Sequence, residues 1–323
     1  MEDSSCPRYS RARCSGGDRA FSVAVSPKGH RLAYTQWNGK LSVSRLELPA
    51  STGQAAVPVG FVSSTEGELG AQFSPDGQRV AFSSDRSGNS EIWTCNSDGS
   101  TPSQFTFLGN WAGSPRWSPD GRQIAFDVNE DGDWNIYSAS AEGGPPRRLT
   151  TDAADDNIPS WSRDGKWIYF ASKRSGDSQV WKMPSQGGEA VQLTRHGGVV
   201  AFESPDGKFV YYTKDCVNGI WQVPVEGGEE TLVFDSFYSG WWGNWAVVSD
   251  GIYFLSSRTK DDVSIEFFSL ATHRITTITK LAGLKQAMIA GAGLAVSPDR
   301  HSILFGEAEG FSSGSLILVE NFR

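Results

Sequence analysis

Gly310-Phe311-Ser312-Ser313-Gly314 fits G-x-S-x-G, the turn that can expose a serine nucleophile between a strand and a helix. Here Leu316-Ile317-Leu318-Val319 follows with a strand pattern rather than a helix, so the run reads as a hairpin turn. Asp127-Val128-Asn129-Glu130-Asp131-Gly132-Asp133 sets oxygen ligands at alternate positions, as the first half of a calcium loop does. Ser138 occupies the place of the closing glutamate, and the sibling stretches Ser84–Asn89 and Lys173–Asp177 are plain hairpins. The run therefore reads as a solvated turn, and neither metal nor cofactor is expected. The histidines His30, His196, His273 and His301 are scattered, with no His-x-x-x-His pair and no glycine loop suited to a phosphate. Cys6, Cys14, Cys95 and Cys216 form no C-x-x-C pair and read as free thiols.

The elements that must position any site are set by one recurring turn. Phe73-Ser74-Pro75-Asp76-Gly77 is followed by Arg79-Val80-Ala81-Phe82, which gives strand, turn and strand. The turn recurs with serines at 26, 74, 118, 162, 204, 249 and 297, so successive spacings are 48, 44, 44, 42, 45 and 48. Ser26-Pro27-Lys28-Gly29 and Ser249-Asp250-Gly251 are looser copies, and Arg300 replaces the glycine of the last. A period of this size marks stacked or radial supersecondary units. Each unit reads as strand a, the turn, strand b, a polar hairpin, an aromatic strand c such as Glu91-Ile92-Trp93, and a short strand d. Four antiparallel strands repeated radially describe an all-β propeller. Seven units predict seven blades, with a six-bladed ring carrying one displaced unit as the alternative. After strand c of the seventh unit the sequence has no strand d, and only residues 1–19 are left to supply one. They lack an alternating apolar pattern.

The domain reading is a disordered leader over 1–19 and a propeller over 20–323. The net charge of −8 speaks against nucleic acid as a partner. No apolar run is long enough to span a membrane, and the polar start lacks a signal-peptide core. A cytoplasmic monomer is expected, or a periplasmic location if the chain is a piece of a longer exported protein.

The repeats resemble TolB-type propeller repeats over residues 20–323. More narrowly, Ile158–Phe170, Phe202–Lys208 and Leu318–Arg323 resemble the C-terminal half of long acidobacterial proteins with a winged-helix or protein-kinase module ahead of such repeats. That resemblance implies a sensor or interaction module and supplies no catalytic residues. Similar propellers also accompany hydrolase domains in prolyl peptidases, and these 323 residues leave no room for one.

Candidate binding residues come from the joins between strand d and the next strand a, which gather at one channel mouth. They are Trp111, the run Asp155-Asp156-Asn157, His196, and the aromatic cluster Tyr238, Trp241 and Trp242. Glu203 joins them because it breaks an apolar set: the residue before the turn serine is otherwise Val25, Phe73, Trp117, Trp161, Val248 or Val296. Its plain role is to bond an arginine or a backbone N–H, and its sharper one is a channel carboxylate of raised pKa. The expected function is non-enzymatic binding of a protein or small ligand. The alternative is a lyase or hydrolase using Glu203, Asp155 and Asp156.

Overall fold

The computed structural model describes residues 19–25, 31–37, 40–49, 51–62, 64, 66–215, 217–237, 243–259, 262–284, 293–309 and 314–319. The N-terminal strands are β1 (Arg19–Val25), β2 (Leu32–Trp37), β3 (Lys40–Glu47), β4 (Ala55–Ala56) and β5 (Val59–Gly60). Blade 1 is β6 (Glu68–Phe73), β7 (Arg79–Ser84), β8 (Glu91–Asn96) and β9 (Ser103–Gln104). Blade 2 is β10 (Trp111–Trp117), β11 (Gln123–Glu130), β12 (Asp133–Ser140) and β13 (Arg147–Arg148). Blade 3 is β14 (Asp156–Trp161), β15 (Trp167–Ser172), β16 (Gln179–Pro184) and β17 (Val191–Gln192). Blade 4 is β18 (Ala201–Glu203), β19 (Phe209–Lys214), β20 (Val217–Pro224) and β21 (Thr231–Phe234). Blade 5 is β22 (Trp245–Val248), β23 (Gly251–Thr259), β24 (Asp262–Ser269) and β25 (Ile275–Leu281). The last strands are β26 (Ala295–Val296), β27 (Ser302–Glu309) and β28 (Gly314–Val319).

Blade 6 is composite, in the order β26-β27-β3-β5. Strands a and b come from the seventh unit, whereas c and d come from the first. β27 pairs with β3 over eight residues, from Ser302 opposite Glu47 to Glu309 opposite Lys40. The innermost strands β6, β10, β14, β18, β22 and β26 touch in a closed circle, β26 against β6. The chain is thus an all-β, six-bladed propeller, which corrects the expectation of seven. The first unit is the displaced one: β1 and β2 form a separate three-stranded sheet with β28. The missing strand d is β5 and not a part of 1–19. β4 runs parallel beside β25, Lys280 opposite Ala55, so the same N-terminal stretch also fastens blade 5. Leu281 ends strand β25, and residues 285–292 lie outside the described residues.

The turns fold alike because their residues satisfy one another. Ser74 Oγ donates to Asp76 Oδ1 at 2.5 Å, while the Gln78 N–H donates to that same oxygen at 3.0 Å. Gly77 has φ +71, Gly121 +69, Gly165 +71 and Gly207 +69, the left-handed conformation that closes the turn. Arg300 holds φ +60 in the last copy and pairs with Asp250 at 2.8 Å. The turns also stack around the ring. A Cβ on Gly121 would lie 3.7 Å from Pro75, one on Gly165 3.8 Å from Pro119, and one on Gly77 3.4 Å from Pro298. The last contact joins blade 6 to blade 1. Ser26–Gly29 lies outside the described residues.

These bonds hold the Asp76, Asp120 and Asp206 carboxyls below the ordinary value, the serine hydroxyl being the largest cause. Asp164 falls from 3.8 to about 2, chiefly through the Lys166 N–H. A folded pKa below the unfolded one gives stability that is complete above the unfolded value and lost as pH falls toward the folded value. The urea midpoint is therefore expected to drop between about pH 4 and pH 2, by a modest amount because these turns are exposed. Replacing Asp76, Asp120 and Asp164 together by asparagine should flatten that acid slope in tryptophan-fluorescence melts. An unchanged slope would mean the turns contribute nothing to acid sensitivity.

Candidate functional site

Strand a of blades 1 to 3 carries a bulge three to four residues before its turn, between Leu69 and Gln72, Gly113 and Arg116, and Asn157 and Ser160. Each bulge holds one residue at positive φ: Gly70 at +67, Ser114 at +50 and Ile158 at +55. A bulge re-aims the side chains beyond it. The pairs re-aimed here are Gln72-Phe73, Arg116-Trp117 and Ser160-Trp161. The aromatics wedge between blades. Trp117 Nε1 donates to Gln72 O at 3.2 Å, and Trp161 Nε1 to Arg116 O at 3.0 Å. Gln72, Arg116 and Ser160 then face the axis.

They form one wall of a cavity of about 360 Å³ where the inner strands reach the turns. Blades 4 to 6 supply the other wall, with Phe202, Val247, Leu294 and Val296. Pro75, Pro119, Arg163 and Glu203 stand at the turn side. Phe202 is fixed by edge-on packing against the buried Trp245, with centroids 4.7 Å apart.

Arg116 is the unusual group. It is only 6% exposed. Its Nη1 donates to Pro115 O at 3.0 Å, while its buried Nε has no acceptor. Its guanidinium lies over the Phe202 ring at 5.4 Å. Burial lowers its pKa to about 10, against the opposing pull of Asp127, so it stays cationic at neutral pH. Asp127 is fully buried in β11 and accepts the Ile158 N–H at 2.8 Å.

Glu203 takes the plain role foreseen for it. Its Oε2 accepts the Tyr169 hydroxyl at 2.5 Å, and its Oε1 the Arg163 N–H at 3.2 Å. The phenol's pKa is pushed far up, first by burial and then by this bond.

The other candidates from the joins do not meet it. Trp111 and Asp156 begin their strands a, at the end away from the cavity. Asp156 is fully buried and holds Arg174 at 2.7 Å, which stacks on Trp181 at 4.9 Å. Burial raises the Asp156 carboxyl, while Ser172 and Arg174 draw it back. Blade 1 repeats this arrangement with Glu68, Arg86 and Trp93, so it is a scaffold feature. Asp155 pairs with Lys173 at 3.1 Å, and Asn157 sits half-buried in β14. His196 is exposed, 3.2 Å from Glu230. Tyr238, Trp241 and Trp242 lie outside the described residues, as do Gly310–Ser313 of the G-x-S-x-G run.

Asp131 and Gly132 make a two-residue hairpin turn with both φ positive, +53 and +110, so only the end of the calcium-like run is a b–c turn, while Asp127 and Val128 are fully buried in β11. Among the described residues no group of three His, Cys, Asp or Glu side chains is placed to hold a metal. Cys95 is a buried free thiol whose pKa burial pushes up to about 12. Among the described residues no helix is long and apolar enough to cross a membrane.

A family model described as the TolB beta propeller domain matches residues 107–240. No curated protein sequence matches the chain significantly. Among solved structures, a TolB-assigned protein from Agrobacterium tumefaciens superposes with a TM-score of 0.67 at 21% identity, covering 84% of this chain and 98% of that one. TolB from Acinetobacter baumannii gives 0.61 at 20% identity, with 76% of this chain matched to 64% of its own. A puromycin-hydrolyzing peptidase of Mycobacterium tuberculosis gives 0.54 at 12% identity, over 84% of this chain and 55% of that one. The chain is a β-propeller whose repeats over residues 107–240 and whose overall fold are similar to those of TolB propellers. These identities establish the fold and leave the activity to the site.

Proposed function

We propose that this propeller is a non-enzymatic binding module and that its site is the turn-side channel cavity, not the opposite mouth formed by the strand d to strand a joins. One observation carries the reading. The cavity joins an apolar wall to a buried, under-used guanidinium, while the serine and glutamate oxygens that line it are committed to the scaffold. Ser160 Oγ donates to Ala201 O at 2.6 Å, Ser162 Oγ to Asp164 at 2.7 Å, and Glu203 is held at both oxygens. A hydrolase or lyase needs a base and a nucleophile within reach of one another and of substrate. Here no such pair is free among the lining side chains. The occupant is a protein segment or a small molecule. The likeness of Leu318–Arg323 and its companion runs to longer regulators supports a sensor role within a larger protein.

Panning phage-displayed peptides on the purified chain tests the reading. Val247→Trp fills the cavity from a half-buried position. Enriched peptides should bind the parent chain and lose at least about 10-fold in affinity, roughly 1.4 kcal/mol, on the filled variant. Equal binding to both, or no enrichment, overturns it. The enzyme alternative requires turnover of ester, amide or uronide substrates that Glu203→Gln abolishes.

A further inference from the structure

We infer that the cavity recognises a singly charged carboxylate carried on an apolar body, with Arg116 as the carboxylate-binding residue. This rests on the binding reading above and specifies its ligand.

The guanidinium is a planar fork suited to two parallel bonds with a carboxylate. Among the described residues it makes no ion pair, and its hydrogen bonding is limited to its own neighbour, Pro115 O. Asp127 acts on it through space, yet uses Oδ2 on the Ile158 N–H. A buried cation with donor capacity to spare, lining an open cavity, is complementary to an anion. Phe202 covers one face of the fork, which leaves its edge for the ligand.

Two features select among anions. The second lining arginine is already engaged: Arg163 Nη2 donates to Glu203 O at 3.4 Å, and the Glu203 carboxylate stands beside it. One available cation, with the Glu203 and Asp127 carboxylates nearby, favours a monoanion over a phosphate dianion. The opposite wall of Phe202, Val247, Leu294 and Val296 suits an aliphatic or aromatic body. At about 360 Å³ the cavity is near the lower end, about 300 Å³, of small-ligand pockets. Such a group is offered by the C-terminus of a chain with apolar last residues, or by a free monocarboxylic acid.

Calorimetric titration of the full chain separates these sources. The probes are N-acetyl-Gly-Ala-Leu and its C-terminal amide, and 4-phenylbutyrate and 4-phenylbutanol. At least one acid should bind, at least about 10-fold more tightly than its neutral partner. Arg116→Met should abolish that preference, and Arg116→Lys, which keeps the charge but not the fork, should fall between. Circular dichroism and the denaturation midpoint report whether each variant is folded. Binding of the peptide acid alone identifies a chain terminus, and binding of 4-phenylbutyrate alone a free acid. Equal binding of acid and neutral forms, an acid preference that survives in Arg116→Met, or no binding of either acid at about 1 mM overturns the inference. If panned peptides discriminate against Val247→Trp but ignore both C-terminal amidation and Arg116→Met, the binding reading stands and this one falls.

Discussion

Asp127→Ala is expected to be among the most destabilising single substitutions in the chain, at about 3–5 kcal/mol. Three effects converge on this fully buried carboxylate. First, its Oδ2 accepts the Ile158 N–H at 2.8 Å across a blade interface, and alanine leaves that donor buried and unmet, a cost of about 1–3 kcal/mol. Second, Ile158 is β-branched and held at φ +55, a conformation that costs an L-residue roughly 1–2 kcal/mol. The Asp127 bond helps to fix that residue in place. Third, Asp127 favours the charge of buried Arg116 through space, and its removal leaves that buried charge without a compensating anion. Asp127→Asn keeps an acceptor and loses only the charge, so its deficit should be the smaller. Adding Arg116→Met to Asp127→Asn should recover part of that deficit, a coupling of about 0.5–3 kcal/mol. Guanidinium denaturation followed by tryptophan fluorescence measures the parent, Asp127→Ala, Asp127→Asn, Arg116→Met and the double variant. A loss below about 1 kcal/mol for Asp127→Ala would show that the bond and the charge are both dispensable.

The local features were legible in the sequence and the long-range ones were not. Pro, Asp and Gly act within four residues, so the turns, the inner strands and the four-strand plan follow directly from them. The number of blades depends on a choice that no local pattern records. β3 and β28 are equivalent c strands, and either could pair with the b strand beside it in sequence. Closure decides, because pairing β3 with β27 gives the last blade its c and d strands and leaves fewer open edges in the ring. Glu203 was legible as an exception, and its partners Tyr169 and Arg163 turned out to be scaffold groups. Arg116 was missed for a physical reason. The bulge between Gly113 and Arg116 breaks the period-two alternation from which a channel-facing position would be read. A charged residue beside a wedge tryptophan was the available signal, and the corresponding residues Gln72, Ser160, Phe202, Val247 and Ala295 carry no charge. The join residues were plausible because carboxylates and aromatics in loops suggest binding. Asp156 instead anchors an arginine–tryptophan stack that blade 1 also contains.

Removing residues 1–60 is expected to abolish cooperative unfolding of the remaining chain. In a seven-bladed closure the deletion would take away the first blade and leave the last with its own a, b and c strands. In the six-bladed ring it strips β3 and β5 from blade 6 and β4 from the edge of blade 5. Ile303, Leu304 and Phe305, all fully buried, would lose the strand beside them. The eight-residue edge of β27 would then be open to pairing with another chain. The truncated protein should bind an apolar dye and elute as aggregate. A point test avoids the aggregate. Leu46 and Ile303 are opposed on β3 and β27, and both are fully buried in one core cluster. Leu46→Ala and Ile303→Ala should each cost about 2–5 kcal/mol, since each leaves a cavity in a packed core. Because the two side chains share that space, the double variant should depart from additivity by about 0.5–3 kcal/mol. Additive losses, or a truncated chain that still melts in one sharp transition, would place β3 elsewhere and reopen the seven-bladed arrangement.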